Sequence, residues 1–200
     1  MVADDASDVV VDVDGNFIDT NQNDRIGIRG SIRNTGVTRL TIQNNQIGQT
    51  TALPGTVGTR SAIDIEVFDD SGATDDVRIL IDNNQLRVNK TSGTSEVLDF
   101  FIDQNADAHL TVTNNTFTNL GSGDGAEIVT DTAGTTLCLD LRSNTAVNPG
   151  PATGDIELVE LAGTYSVEAL ASVVANNPSA NIIFDPNMAA FTNAAGCLTP

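Results

Sequence analysis

The sequence predicts an all-β fold, a parallel β-helix of about five coils with a short helical cap at its C-terminal end. Three observations predict it: an eight-residue pattern recurs five times, short strand-like segments lie between its copies, and the composition is aliphatic. Hydrophobic residues make up 40% of the 200 residues, but aromatic residues only 4%. Stacked columns of Val, Ile and Leu fill a narrow prism without large rings, so this composition suits a solenoid.

The recurring pattern has an aliphatic residue at positions one and three and an asparagine at position six. Its copies are residues 11–18, 40–47, 79–86, 110–117 and 139–146, and their asparagines are Asn16, Asn45, Asn84, Asn115 and Asn144. Apolar residues two positions apart are typical of a half-buried strand. The asparagine marks a corner, because its amide bonds a turning backbone and because Asn tolerates the left-handed conformation. Stacked in register, the five amides are expected to form an asparagine ladder.

A second family of strands lies between the corners. It comprises residues 25–30, 61–68, 95–102, 125–131 and 154–161. Neighbouring corner asparagines are 29 to 39 residues apart, so each period holds two or three strands. This arithmetic predicts a parallel β-helix in which successive coils pair about 4.8 Å apart. A β-sandwich is the alternative all-β fold, but it requires no corner residue that recurs in register. Residues 48–60 lengthen the longest period and are expected to loop out of the coil.

The pattern changes near the C-terminus. Residues 1–163 are predicted to form the coils, and residues 164–200 a cap, because an open end exposes unpaired strand edges. Within the cap, residues 165–178 are predicted to form one amphipathic helix and residues 181–184 a strand. The helix is predicted from apolar residues at helical spacing, Val167, Leu170, Val173 and Val174. The N-terminal end shows no equivalent helix, so we expect further coils upstream of Met1.

The charge of the chain excludes several classes of partner. Acidic residues outnumber basic ones 27 to 9, which gives a formal net charge of −18. Such a surface repels phosphate backbones and anionic headgroups, so no nucleic-acid partner is expected. No stretch reaches the roughly 20 apolar residues of a membrane helix, so no membrane span is expected either.

One loop is a candidate for calcium. Residues 68–76 contain Asp69, Asp70, Asp75 and Asp76. Carboxylate oxygens are the ligands that calcium prefers. The loop does not match the EF-hand spacing, and a solvated acidic turn is the alternative interpretation. Calcium is therefore the one cofactor for which the sequence offers a candidate site.

Residues for catalysis are harder to find. His109 is the only histidine, and it stands outside the alternating core positions, so we interpret it as a solvent-facing structural residue. Outward carboxylates are plentiful, but none of the pattern's copies has the dense acidic cluster of a carboxylate-based enzyme. The candidate carbohydrate-binding face consists of Asp14, Asp82, Thr113 and Arg142. No catalytic residue is predicted.

Two cysteines, Cys138 and Cys197, lie 59 positions apart, which is not a metal-binding spacing. A disulfide that fastens the C-terminal tail to the last coil is one interpretation, and two free thiols are the other. A disulfide implies an oxidising compartment.

The corners, [LIV]x[LIV]xNNx[ILF], resemble the repeats of right-handed parallel β-helix proteins of the pectate-lyase-like type. The segments TTLCLDLRSNTA and FTNAAGCLTP look like the C-terminal end of large secreted bacterial β-helix proteins, in which a Cys in the last coil and one before the terminal Pro recur. The resemblance implies a right-handed β-helix and supports the Cys138–Cys197 pairing. It implies no activity, since the same scaffold carries lyases, adhesins and phage spikes.

We therefore expect a non-enzymatic structural or adhesive protein that is secreted or at the cell surface and forms the C-terminal segment of a longer chain. Its expected partners are a polysaccharide or another cell-surface ligand, or a second copy that binds through the coil ends. The alternative is a polysaccharide-binding or polysaccharide-cleaving module that uses the outward Asp, Asn and Thr face.

Overall fold

A computed structural model describes most of the chain. The described residues are 2–3, 8–20, 26–33, 36–48, 60–69, 76–88, 95–121, 123–147 and 155–200. Their strands, in chain order, are β1 (Val2–Ala3), β2 (Val9–Asp14), β3 (Phe17–Asp19), β4 (Ile28–Arg33), β5 (Val37–Gln43), β6 (Gln46–Gly48), β7 (Ile63–Phe68), β8 (Asp76–Asp82), β9 (Gln85–Val88), β10 (Leu98–Asp103), β11 (Asp107–Thr113), β12 (Thr116–Asn119), β13 (Ala126–Thr130), β14 (Thr136–Arg142), β15 (Thr145–Val147), β16 (Ile156–Glu160), β17 (Thr164–Glu168), β18 (Ile182–Asp185) and β19 (Thr192–Ala194).

These strands form three parallel sheets. Sheet A contains β1, β4, β7, β10, β13, β16 and β18; sheet B contains β2, β5, β8, β11, β14, β17 and β19; and sheet C contains β3, β6, β9, β12 and β15. From β1 to β15 the chain visits the sheets in the order A, B, C and then begins again, and we call one such passage a circuit; the strands from β16 to β19 alternate between sheets A and B. Each strand pairs in parallel with the equivalent strand of the next circuit. This arrangement is all-β and parallel, and it is consistent with the predicted solenoid.

The eight-residue pattern is paired in register throughout. Its first positions form one row across sheet B, namely Val11, Leu40, Ile79, Leu110 and Leu139. Its eighth positions form one row across sheet C, namely Ile18, Ile47, Leu86, Phe117 and Ala146. The long period is absorbed without a shift of register, because Leu40 still pairs with Ile79. Residues 49–59 of the predicted loop lie outside the described part of the chain.

The core consists of aliphatic columns between the sheets. Alternate residues along β7 are buried, and the residues between them are half-buried on the outer face. Ile42, Ile81, Phe100 and Leu158 are all fully buried. Burial of aliphatic surface is the main stabilising contribution in such a stack. The residue types are β-branched or long aliphatics because each side chain packs against its equivalents in the circuits above and below.

The residue with the left-handed conformation precedes the corner asparagine instead of being that asparagine. Positive φ occurs at position five of each copy, at Gly15, Asn44, Asn83, Asn114 and Ser143. The asparagine at position six does not have to adopt the left-handed conformation, and its side chain is directed along the stack. The assignment of the left-handed turn to position six was wrong by one residue.

The predicted helix over residues 165–178 is largely wrong. Thr164–Glu168 forms β17, which pairs with β14 in sheet B. Only Leu170–Ser172, a 3-10 turn, and Val173–Asn176, helix α1, are helical. Tyr165 and Val167 are both buried and two positions apart, so they continue the strand columns, and pairing with β14 overrides the helical spacing. Strands β18 and β19 also extend sheets A and B beyond residue 163.

Candidate functional sites: an asparagine ladder, a fastened tail and a carboxylate column

The five corner asparagines lie in one hydrogen-bonded column. Asn45 Oδ1 accepts the backbone N–H and the side-chain Nδ2–H of Asn16, at 2.8 and 3.1 Å. The same pair of bonds joins Asn45 to Asn84 at 2.9 and 3.0 Å, and Asn84 to Asn115 at 3.0 Å each. Asn115 donates to Asn144 at 3.0 and 3.2 Å. Every donation runs from one circuit to the next, so the ladder has a direction.

The ladder also closes each turn onto the preceding strand. Asn84 Nδ2 donates to Ile42 O at 2.8 Å, and Asn115 Nδ2 donates to Ile81 O at the same distance. Asn84 and Asn115 are each only 1% exposed. A buried amide that lacked these partners would cost about 1–3 kcal/mol, so the asparagine is required by the turn that it forms.

A sixth asparagine, which the repeat alignment missed, ends the ladder. Asn177 Oδ1 accepts the N–H and Nδ2–H of Asn144 at 3.0 and 3.1 Å. Asn177 Nδ2 donates to Leu141 O and Val173 O, so helix α1 closes this end of the column. The signal was the Asn-Asn pair at residues 176–177, placed 33 residues after Asn144, but no aliphatic pattern of strand type precedes it.

The predicted carbohydrate-binding residues lie in one row across sheet B, in which Gln43 separates Asp14 from the other three. Asp82 is paired in register with Thr113, and Thr113 with Arg142, while Asp14 is two strands from Asp82. Asp82 Oδ1 accepts hydrogen bonds from Thr113 Oγ1 at 2.6 Å and Asn114 Nδ2 at 2.8 Å.

The other two predicted residues, Asp14 and Arg142, also bond to neighbouring side chains. Asp14 Oδ1 accepts from Asn44 Nδ2 at 2.8 Å, and Asn44 Oδ1 accepts from Asn83 Nδ2 at 2.7 Å. Arg142 pairs with Asp140 at 2.7 Å. The contacts of Asn44, Asn83 and Asn114 connect successive circuits. They form a second polar ladder on the outer face, next to the buried asparagine ladder.

The disulfide interpretation is confirmed, and it fastens the C-terminal tail across sheet B. Cys138 and Cys197 are bonded, with 5.5 Å between their Cα atoms. Cys197 N–H donates to Glu168 Oε2 at 3.0 Å, and Leu198 N–H donates to His109 Nδ1 at 3.1 Å. The tail therefore runs from β17 over β14 to β11, across the strands.

His109 is consequently not solvent-facing, as the sequence had suggested, but half-buried under this tail. Its side-chain nitrogens and the two cysteine sulfurs provide ligand atoms within 4.8 Å of one another. A sulfur in a disulfide is not a thiolate, and the thiolate is the form that binds a metal. The cluster therefore acts as a covalent and hydrogen-bonded anchor.

The candidate calcium loop is only partly described. Asp70 and Asp75 lie outside the described residues. Asp69 is fully buried. Asp76 pairs with Arg39 at 2.6 Å and with Arg78 at 2.8 Å. The hydrogen bond from Arg78, together with the Arg39 guanidinium, lowers the pKa of Asp76 below its ordinary value. With two guanidinium groups as its partners, Asp76 is poorly placed to be a calcium ligand.

A column of carboxylates on the outer face of sheet A was not predicted. Asp64, Asp99, Glu127 and Glu157 face one another in register on β7, β10, β13 and β16. Adjacent strands lie about 4.8 Å apart, so each carboxylate has a like-charged neighbour. Arg29 occupies the same row on β4 and pairs with Glu66 at 3.1 Å and with Asp64 at 3.7 Å. We call the four acidic residues the carboxylate column.

Their surroundings shift the titration of these groups. Burial raises the pKa of Glu127 to about 7, and the charges of Glu96, Asp99 and Glu157 contribute to the rise. Burial raises the pKa of Asp99 to about 6, with Glu96 as the next contributor. Asp99 and Glu127, which are neighbours in the column, therefore both titrate well above the range of an exposed carboxyl group.

A shallow depression of about 450 Å³ opens beside the column. Asp64, Asp99 and Glu96 line it together with Arg29 and Phe101. Carboxyl groups, a guanidinium group and an apolar ring thus line one depression, and Glu127 lies next to Asp99 in the column but outside this lining. This combination can bind a polar ligand, and carboxyl groups with a raised pKa are typical of functional sites.

The sequence did contain a signal for the column. Each member is the second residue of its strand in the second family, directly after a buried Ile, Leu or Ala. The members become a row only when that family is aligned residue by residue, whereas the prediction aligned only the corners.

No protein-family model, curated protein or solved structure matches the chain. Helices long and apolar enough to cross a membrane do not occur among the described residues. Fold and sites together define a parallel all-β protein whose tail is fastened by a disulfide. Such a bond is typical of proteins outside the reducing cytoplasm.

Proposed function

We propose that the chain is a right-handed parallel β-helix of about five coils and serves as a secreted or cell-surface structural or adhesive element of a longer protein. The observation that carries the proposal is the continuous asparagine ladder, which bonds every circuit from Asn16 to Asn177 to the next. Together with the Cys138–Cys197 bond, it makes local opening of a circuit costly. A stack held in this way is suited to serve as a stiff, protease-resistant element that presents its loops.

The location is tested on intact cells that produce the protein. We expect an antibody against the chain to label unpermeabilised cells or the culture medium, and mass analysis of the native protein to show Cys138 and Cys197 linked. A protein found only inside the cell, with both thiols free, would overturn the proposal.

The carboxylate column supports a second candidate, a polysaccharide-binding or polysaccharide-cleaving module. Asp99 and Glu127 are neighbours whose raised pKa values let one carboxyl donate a proton while another is ionised, which is the division of roles in glycoside hydrolysis. This candidate moves the functional face from sheet B, where it was predicted, to sheet A.

The two faces are distinguished by variants assayed on a panel of neutral and acidic polysaccharides. If sheet A acts, Asp99→Asn and Glu127→Gln lose binding or cleavage, and Asp82→Ala retains it. If sheet B acts, the pattern is reversed. If the wild-type protein neither binds nor cleaves any member of the panel, the second candidate is wrong and the structural proposal stands.

A further inference from the structure

The C-terminal tail is fastened at a point where three side chains able to bind a metal meet. One ring nitrogen of His109 and the sulfur atoms of Cys138 and Cys197 all lie within 4.8 Å of one another. Ligand atoms around a tetrahedral zinc ion are about 3–4 Å apart, because Zn–S bonds are about 2.3 Å and Zn–N bonds about 2.0–2.1 Å long. We call these three side chains the tail anchor. Its sulfurs are bonded to each other in the oxidised protein, so only the reduced protein offers three ligands.

Two of the three ligands are held in place without the disulfide. His109 on β11 and Cys138 on β14 are paired in register, and β14 pairs on its other side with β17. Cys138 is buried and His109 is half-buried. Reduction of the S–S bond breaks none of these backbone pairings, so sheet B continues to present the two side chains next to each other.

The third ligand is kept near them by the hydrogen bonds of the tail. Cys197 N–H donates to Glu168 Oε2 at 3.0 Å, and Leu198 N–H donates to His109 Nδ1 at 3.1 Å. One residue further on, Thr199 O accepts from Arg78 Nη1 at 3.5 Å. A site whose ligands are positioned before binding loses little ordering entropy when the ligand arrives.

His109 is in the protonation state that a metal requires. A ring nitrogen that accepts an N–H is unprotonated and bears a lone pair, and Nδ1 accepts the N–H of Leu198. Neutral imidazole is the form that binds metals. An ion bound at Nδ1 takes the place of this hydrogen bond, and because Leu198 is exposed, its N–H can bond to water instead.

The charges beside the tail anchor suit a cation. The carboxylate of Glu168 adjoins Cys197, whose N–H it accepts. Arg78 is paired in register with His109, but its guanidinium is bound to the carboxylate of Asp76 at 2.8 Å. The positive charge nearest to His109 in this row is therefore compensated by an ion pair.

We propose that the reduced tail anchor is a zinc site, in which His109, Cys138 and Cys197 bind one Zn²⁺ ion and a water molecule fills the fourth position. Two thiolates and one imidazole form a donor set that prefers zinc to calcium or magnesium. The ion takes the place of the disulfide, so the tail stays fastened to sheet B in the reduced state. This site is separate from the carboxylate column, and it does not depend on the proposed function.

A phosphine reductant converts the disulfide into the zinc-binding form. It cleaves the S–S bond and is oxidised to the phosphine oxide by the oxygen of one water molecule, whose two protons go to the two sulfurs. Zn²⁺ then replaces these two thiol protons, which are released to the solvent. In the reverse direction a disulfide oxidant takes two electrons from the two thiolates and is cleaved to two thiolates itself, while the Cys138–Cys197 bond forms again and Zn²⁺ leaves.

Zinc binding is measured on the full chain in the absence of oxygen, with Zn²⁺ alone as the probe and the phosphine removed beforehand. The oxidised wild-type protein is the control, because it has the same sequence. We expect native mass spectrometry to find one Zn²⁺ ion per chain after reduction and none before it. With Co²⁺ as a substitute, we expect a thiolate-to-cobalt charge-transfer band in the near ultraviolet and the intense visible bands of a tetrahedral site.

Three variants test the ligands in the reduced state. His109→Ala and Cys197→Ser are expected to lower the zinc affinity on the order of a hundredfold, measured by competition with a chromophoric chelator. Ser166→Ala, which changes the neighbour of Cys138 in the same row, is the matched control and is expected to retain the affinity. Circular dichroism reports whether each variant is folded. Alkylation of both thiols in the reduced wild-type protein removes the ligands without a substitution and is expected to abolish binding.

Hydrogen exchange reports whether the ion fastens the tail. In the reduced wild-type protein we expect Zn²⁺ to slow exchange in residues 195–200, and in His109→Ala we expect no such slowing. A reduced wild-type protein that binds no Zn²⁺, equal binding by the oxidised protein, an unchanged affinity of His109→Ala, or a cobalt spectrum without the thiolate band would overturn the inference. Each of these results leaves the cell-surface location and the polysaccharide assays, which are measured separately, untouched.

Discussion

Each buried asparagine of the ladder performs three tasks with one amide. Asn84 accepts two hydrogen bonds from Asn45, donates to Asn115, and donates to the carbonyl of Ile42. Aspartate offers no donor, and serine does not span the same distance with two groups. The residue type is therefore dictated by the number of bonds that the corner must satisfy, and the neighbouring left-handed residue only provides the turn.

Replacement of Asn84 by alanine leaves the buried N–H of Asn45 and the carbonyl of Ile42 without these partners. We expect Asn84→Ala to lower the free energy of unfolding by about 3 kcal/mol, measured by urea denaturation. Gln85→Ala, a change of an exposed side chain one position away, is the matched control and is expected to change it by less than about 0.5 kcal/mol. Equal effects of the two substitutions would show that the ladder contributes little.

At the scale of the element, the strands could be aligned from the sequence where the same residue type recurs at a fixed position. They could not be aligned where only the burial and the charge of a position recur. The corner strands were located, and their register was correct, because Asn and the aliphatic residues around it recur at fixed positions. The carboxylate column was missed because its members are Asp on β7 and β10 but Glu on β13 and β16, between core residues that also vary. Residues 165–168 were assigned to a helix because local spacing does not reveal that β14 offers an unpaired edge.

The raised pKa values of Asp99 and Glu127 in sheet A should make the folded protein less stable as pH rises. An unfolded Asp or Glu titrates near pH 4, whereas the folded protein has pKa values of about 6 for Asp99 and about 7 for Glu127. Between these values the folded state binds more protons than the unfolded state, so stability falls as pH rises through that window. We expect the melting temperature to fall between about pH 4 and pH 7, measured by circular dichroism.

The substitution Glu127→Gln removes one charge of the column. The variant is expected to melt a few degrees above the wild-type protein at about pH 8 and to show a flatter dependence on pH. Asp12→Asn, which removes an exposed carboxylate from sheet B, should retain the slope of the wild-type protein. A melting temperature that is constant or rises across the same pH window in the wild-type protein would contradict the burial of the column.

The tail is the second element whose effect can be isolated. The Cys138–Cys197 bond joins residues 59 positions apart, and closing a loop of that length corresponds to about 4 kcal/mol of stabilisation by loop entropy. We expect Cys197→Ser to lower the melting temperature and to increase hydrogen exchange in β14 and β17. Exchange in β2 and β5 should change little, because the described hydrogen bonds of the tail reach only as far as Arg78 on β8 and each circuit pairs with its neighbours. Loss of protection across all circuits would mean that the disulfide supports the whole stack.

At the scale of the whole molecule, the structure is one motif repeated along an axis. Strands β18 and β19 are the last strands of sheets A and B at one end, and β1, β2 and β3 are the last described strands of the three sheets at the other. Rigidity arises from contacts between circuits that are 29 to 39 residues apart in the chain, and these same contacts position the carboxylate column and the second polar ladder. The proposed structural role depends on this in-register stack.

The stack is tested most directly by methyl NOE spectroscopy on protein labelled at Ile, Leu and Val methyl groups. Parallel, in-register circuits predict cross-peaks that join Leu40 to Ile79, Ile79 to Leu110 and Leu110 to Leu139, with matching peaks from Ile42 to Ile81. Cross-peaks that shift these pairs by even one or two residues, or that join the strands in an antiparallel order, would contradict the account.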